Sequence, residues 1–136
     1  MRLPVRLVAR STGQVVVERL EIADGYWSRL VGLQLRSVPL RGFGLLLVPC
    51  SSIHTFLVRF PIDAVMLDRS GRVIEVRRGV HPWRVVLPTR KTFAVLEVPS
   101  RQAVAEIEPG MRLRLEVPAD RARRLSRTLT AWCESS

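Results

Sequence analysis

Nowhere in this chain of 136 residues does an apolar run approach the eighteen or so residues that a membrane-spanning helix requires. The opening stretch, MRLPVRLVARSTG, alternates apolar and charged side chains and lacks the continuous apolar centre of a secretion signal, so the expected compartment is the cytoplasm. Cysteine is scarce. Cys50 and Cys133 are far apart and in unlike contexts, which favours two thiols over a disulfide. Lysine is nearly absent, with Lys91 standing alone among 22 basic residues, and the net charge is +10. The arginines are spread along the chain and mostly occupy the polar phase of alternating segments, where solvated charge belongs. Aromatic side chains make up only 6% of the residues, and no RNP-type motif or basic recognition helix precedes the C-terminal tail. Nucleic acid therefore ranks last among partners, although an excess of one sign still raises encounter rates with anions of any kind.

What is present reads as one domain. Hydrophobic residues make up 47% of the chain and charged residues 25%, enough for a core that stands without disulfides or structural metal. Leu3, Val5 and Leu7 alternate with polar residues, Ser11-Thr12-Gly13 supplies a turn, and Val15 to Ile22 returns, which predicts a hairpin. Asp24 is placed to cap a short helix to about Leu35, with Trp27, Leu30, Val31 and Leu35 as its buried stripe. Strands are predicted at Leu45–Val48, Ile53–Phe60, Ile62–Leu67, Val73–Val76, Phe93–Val98 and Met111–Val117, separated by Gly and Pro turns, with a helical turn within Pro99–Glu108. The last of these strands ends at Pro118. Beyond it, Ala122, Leu125, Leu129 and Trp132 fall at helical spacing. The domain proper is thus expected over residues 1–118 and a helical extension over 119–136, packed on the domain or free to meet an acidic partner or membrane surface through its arginines. The fold class is mainly β: a single-domain sandwich or partly open barrel of about seven to nine short strands, with one short helix and a C-terminal helix.

The stretch Pro49–Asp68, PCSSIHTFLVRFPIDAVMLD, sets Cys, His, Arg and Asp among apolar neighbours, which an ordinary core strand does not need. Three chemistries fit it. Cys50, His54, His81 and Asp63 are acceptable zinc ligands, but no CxxC, HxH or HExxH spacing supports them, so no metal or cofactor is expected. Cys50, His54 and Asp63 have the residue types of a thiolate, a base and an orienting carboxylate, without the glycine-rich elbow that presents a nucleophile. In a polar binding pocket, Arg59 would grip a carboxylate or phosphate in two-pronged fashion, Asp63 would hold Arg59 in place, and Glu97 would be a further partner. Along a regular strand His54 and Thr55 point to opposite faces, so both can line one site only where the backbone bends.

The segment GLLLVPCSSIHTFLVRFPIDAVMLDRSGRVIEV, the later PWR and VLEVP, and the closing EPGMRL resemble the domain of unknown function 192 family over roughly Val15 to Val117. The resemblance implies a compact, mostly β domain with a short helix and no assigned activity. It marks Cys50, Ser52, His54, Thr55, Phe56, Arg59, Asp63 and Glu97 as the signature positions. Three departures stand out: Val58 where the family has Met, Ser100-Arg101 where it has Ala-Gly after the VLE strand, and Met111 where an Asp usually follows the glycine. The expected function is a non-catalytic binding or accessory module with a small polar, anion-recognising cleft, its ligand-binding residues being Ser52, His54, Thr55, Arg59, Asp63 and Glu97. Its partner is a small anionic ligand or a protein. The competing expectations are a hydrolase-like enzyme using Cys50 or a His54-activated water, and docking through the arginine-rich tail.

Overall fold

The computed structural model describes residues 4–23, 33, 37, 39, 41–49, 53–54, 58–87, 89–122, 125 and 127–133, with 53–54 described as backbone. Two adjoining strands, β1 (Val5–Ala9) and β2 (Val15–Ala23), form the hairpin that the alternation predicts. Gly13 takes a left-handed φ of 74° in its turn and donates its amide to Ala9 O at 2.7 Å. The helix expected over 24–35 falls on residues outside those described, apart from Leu33, which is buried. β3 (Phe43–Leu47) then runs parallel to β2, with Leu45 opposite Glu21.

Seven strands make one mixed sheet in the order β6-β5-β8-β3-β2-β1-β9, where β5 is Ile62–Leu67, β6 Val73–Val80, β8 Ala94–Pro99 and β9 Leu113–Glu116. A separate two-stranded ribbon pairs β4 (Ile53–His54) with β7 (Val85–Val86). The sheet does not close into a barrel. It curls until its two edge strands touch at one end, where Val73 N donates to Met111 O at 2.7 Å, Leu113 N to Gly71 O at 2.9 Å, and Arg72 bridges Arg112. Gly71 is required there. Its φ is +82°, and a Cβ would come within 2.8 Å of Leu113 O.

Because side chains alternate along a strand, the sheet sorts its residues into two apolar layers. The inner layer holds Leu7, Val17, Leu46, Val65, Leu96, Val98, Leu113 and Leu115, drawn from most of the strands. The outer layer holds Leu45, Leu47, Ile62, Ala64, Met66 and Val95, covered by Val58, Phe60, Leu33 and Val86 of the ribbon. The C-terminal helix α1 (Arg127–Ala131) is shorter than the sequence period suggests. Leu129 and the following Trp132 nonetheless enter the inner layer, Leu125 packs against it, and Ala122 is exposed. The Trp132 ring nitrogen donates to Arg69 O at 2.6 Å, and Leu115 N donates to Trp132 O at 2.9 Å, so the chain end is bonded to both margins of the sheet.

No helix forms over Pro99–Glu108, where the sequence allows a helical turn. Two of the backbone groups that an i→i+4 ladder would use are taken by other segments. Ser100 N donates to Pro61 O at 3.0 Å and Gln102 O accepts from Gly42 N at 3.0 Å. A tight turn at Ser100–Arg101 remains, and beyond it the segment runs without regular structure to Glu108.

Candidate binding cleft

Asp63 lies one residue into β5, next to Ile62, which is fully buried in the outer layer. Alternation turns Asp63 the other way, toward the inner face at the open end of the sheet. Opposite it the pairing of β5 with β6 slips: Ile62 faces Val80, yet Ala64 faces Arg77. Two steps on β5 therefore match three on β6, a β-bulge centred on Arg78–Gly79, with Gly79 at φ 63°. Such a bulge takes an amide out of the ladder. The Asp63 carboxylate accepts it, Gly79 N donating to Oδ1 at 2.8 Å, and the same oxygen accepts Ser100 Oγ at 2.9 Å. One carboxylate oxygen thus fastens β6 and the turn after β8 to β5, while Oδ2 has no hydrogen-bond partner among the described residues.

These two fastened segments wall an open cleft of about 620 Å³, lined by Asp63, Arg78, Gly79, Ser100, Arg101 and the stretch Ala103–Glu106. A smaller cavity of about 40 Å³ adjoins it, sharing Asp63, Arg78 and Glu106 and lined also by Val65, Val76, Val98 and Ile107. The Arg78 guanidinium is held by Ile107 O at 2.7 Å and by Glu108 Oε1 at 3.1 Å. Arg101 is exposed on the turn and has a left-handed φ of 65°. Two guanidinium groups and two carboxylates, those of Asp63 and Glu106, therefore share one cleft. Such a lining can take an anionic group on the arginines and a hydrogen-bond donor on a carboxylate.

Of the sequence-predicted residues, Asp63 lines this cleft, and Glu97 and Arg59 do not. Glu97 pairs with Ala64 and Leu45, both in the outer layer, so its carboxylate lies on the opposite side of the sheet from Asp63. It is only 3% exposed, a buried acid on the face against which Val86 packs the β4–β7 ribbon. Arg59 sits between Val58 and Phe60, whose side chains enter the outer layer, and is itself exposed. No ion pair joins Arg59 to Asp63 among the described residues; the acceptor expected to orient Arg59 is instead bonded to Gly79 and Ser100. Cys50, Ser52, Thr55 and Phe56 lie outside the described residues, and His54 is described as backbone, paired with Val85. The bend between His54 and Thr55 on which their shared use depends also falls there. Cys133 is a thiol, not half of a disulfide, and lies 3.6 Å from Leu129 O.

Arg78, Gly79, Ser100, Arg101 and Glu106 did not emerge from the sequence as site residues. A signal was present for three of them: the glycine, which inside a strand marks a bulge, and Ser100-Arg101, a departure from the family pattern.

Residues 7–124 match the sequence profile of the DUF192 family, described as "Uncharacterized ACR". A UPF0127 protein of Thermococcus sibiricus is 31% identical over 99 residues, covering 68% of this chain and 62% of that protein. The chain thus spans less than two thirds of that relative's length. The UPF0127 protein PH1112 of Pyrococcus horikoshii is 29% identical over 85 residues, covering 59% of this chain and 71% of its own. Two solved structures share the fold, each with a TM-score of 0.68 and 22% identity over 82% of this chain. One, from Novosphingobium aromaticivorans, is a protein of unknown function and is covered over 83% of its length. The other, from Sinorhizobium meliloti, is described as a candidate transcription regulator and is covered over 91%.

Proposed function

The chain belongs to the DUF192 family, and from that premise we propose that it is a non-catalytic binding module whose cleft beside Asp63 takes a small ligand bearing an anionic group. The observation that carries this reading is Arg101. A bulky residue in the left-handed region costs free energy that glycine would avoid, and such strain tends to be kept where a side chain is used. Here it sets a guanidinium on the rim of the cleft, beside a carboxylate whose second oxygen is uncommitted.

The mixed charge of the lining selects among anions. A bare inorganic ion meets Asp63 and Glu106 as well as the arginines. A ligand with a carboxylate at Arg101 and an ammonium or hydroxyl at the acids satisfies both sets. Glu97, on the other face of the sheet, belongs to a separate structural neighbourhood in this reading.

Amide NMR titration of the full chain tests it, with inorganic phosphate and glutamate as the probes. The expected result is that Gly79, Ser100 and Arg101 shift with glutamate more than with phosphate, and that Arg101→Ala abolishes the shifts while the rest of the spectrum stays folded. Shifts that persist in Arg101→Ala, or that are absent from the cleft altogether, overturn the proposal.

A further inference from the structure

The segment between Glu75 and Glu97 contains no acidic residue and, besides the Arg78 of the cleft, carries four basic ones, Arg77, Arg84, Arg90 and Lys91. The same segment presents the large exposed apolar side chains of the described structure: Trp83 is 60% exposed, Val85 59% and Leu87 70%. Val86 turns inward to the outer layer, so alternation sends Val85 and Leu87 outward together, and Trp83 precedes them on a bend. Trp83 has a φ of 65°, a conformation that costs a bulky side chain free energy, yet most of its surface is given to solvent. Arg77 reaches the end of this ridge, donating to Leu87 O at 3.4 Å while its Nε pairs with Glu75.

We propose that the Trp83–Val85–Leu87 ridge docks the protein onto a bilayer surface rich in anionic lipid. Among the described residues the three side chains fall well short of the roughly 800 Å² that each partner buries in a stable protein–protein contact. A second copy seated ridge to ridge would set one basic segment against another, and like charges at close range oppose that contact. A lipid interface suits both parts of the ridge. The indole and aliphatic groups enter the acyl boundary, and the arginines keep their guanidinium groups at the phosphates. This docking surface is distinct from the Asp63 cleft and stands or falls independently of it.

Co-sedimentation of the full chain with vesicles tests it, comparing pure phosphatidylcholine with phosphatidylcholine containing about one third phosphatidylglycerol. Binding is expected to the second alone and to weaken as salt is raised. The double variant Arg84→Ala/Arg90→Ala is expected to lose about thirtyfold in affinity, from roughly fivefold for each basic side chain near an anionic surface. Leu87→Ser, at the most exposed of the three apolar positions, is expected to weaken binding at unchanged charge, and Trp83→Ser to do the same. Absence of binding to anionic vesicles overturns the proposal. So does binding that Leu87→Ser leaves intact, which would mean attraction by net charge alone. A monomer–dimer equilibrium abolished by Leu87→Ser would overturn it too, by making a second copy the occupant.

Discussion

Arg101 and Asp63 show how two side chains of one cleft carry opposite relations to stability. Left-handed backbone costs an L-residue about 1–2 kcal/mol, whereas glycine would add roughly 0.4–1 kcal/mol of unfolded-state entropy. Arg101→Gly is therefore expected to raise stability by roughly 0.5–1 kcal/mol in urea unfolding while the cleft loses its anion affinity. A fall in stability would mean that the guanidinium, not the ligand, justifies the strain. Asp63 works the other way. Replacing it by Ala strands the Gly79 amide and the Ser100 hydroxyl, at a cost of about 1–3 kcal/mol, while Asp63→Asn keeps an acceptor and should lose much less. If both variants melted alike, the carboxylate's charge and not its hydrogen bonds would be what the bulge requires.

At the scale of elements, the strands of the sheet were legible as short apolar segments, alternating or continuous, bounded by Gly and Pro, and β5, predicted over Ile62–Leu67, has those bounds. The turn after it was legible as well. Asp68 Oδ1 accepts Ser70 N at 2.8 Å, Ser70 Oγ at 2.7 Å and Arg72 N at 3.1 Å. Burial alone would raise the Asp68 pKa, but the hydrogen bonds from Ser70 and Arg72 and the nearby Arg72 charge outweigh it and hold the carboxyl below its usual value. A carboxyl with a depressed folded-state pKa stabilises the fold above its unfolded pKa, and that contribution is lost as pH falls through the folded value. Thermal unfolding on acidification through the carboxylate range should therefore show a smaller loss for Asp68→Asn than for the parent chain. Glu75, lowered by hydrogen bonds from Arg77 and Thr89, leaves a residual slope in both. What could not be read was which residues of different strands share a face. Parity within FAVLEV and within PIDAVML is plain, but only the register that sets Glu97 opposite Ala64 puts Asp63 and Glu97 on opposite sides of the sheet. The cleft was hidden for the same reason, since a bulge in β6 and a turn after β8 meet only through that register.

For the molecule as a whole, the decisive contact is the one that finishes the curl. The edge strands β6 and β9 touch near Gly71 and Leu113, and Trp132 lies against that junction, with its ring carbons 3.4–3.6 Å from where a Gly71 Cβ would be. The sequence allows the arginine-rich tail to pack on the domain or to stay free; in the structure Leu129 and Trp132 are among the most deeply buried side chains of the inner layer. Removing Trp132 alone should cost about 3–5 kcal/mol, the usual range for a fully buried tryptophan cut back to alanine. Ending the chain after Pro118 takes away both apolar groups and the carbonyl that Leu115 N uses, so it should expose the inner layer and open the sheet where its margins meet. Hydrogen exchange would register this as lost protection at Val73, Leu113 and Leu115, the amides bonded at or beside the junction. If the truncated chain kept that protection and its melting temperature, the helix would be a dispensable arm and the touching edge strands would hold the curl by themselves.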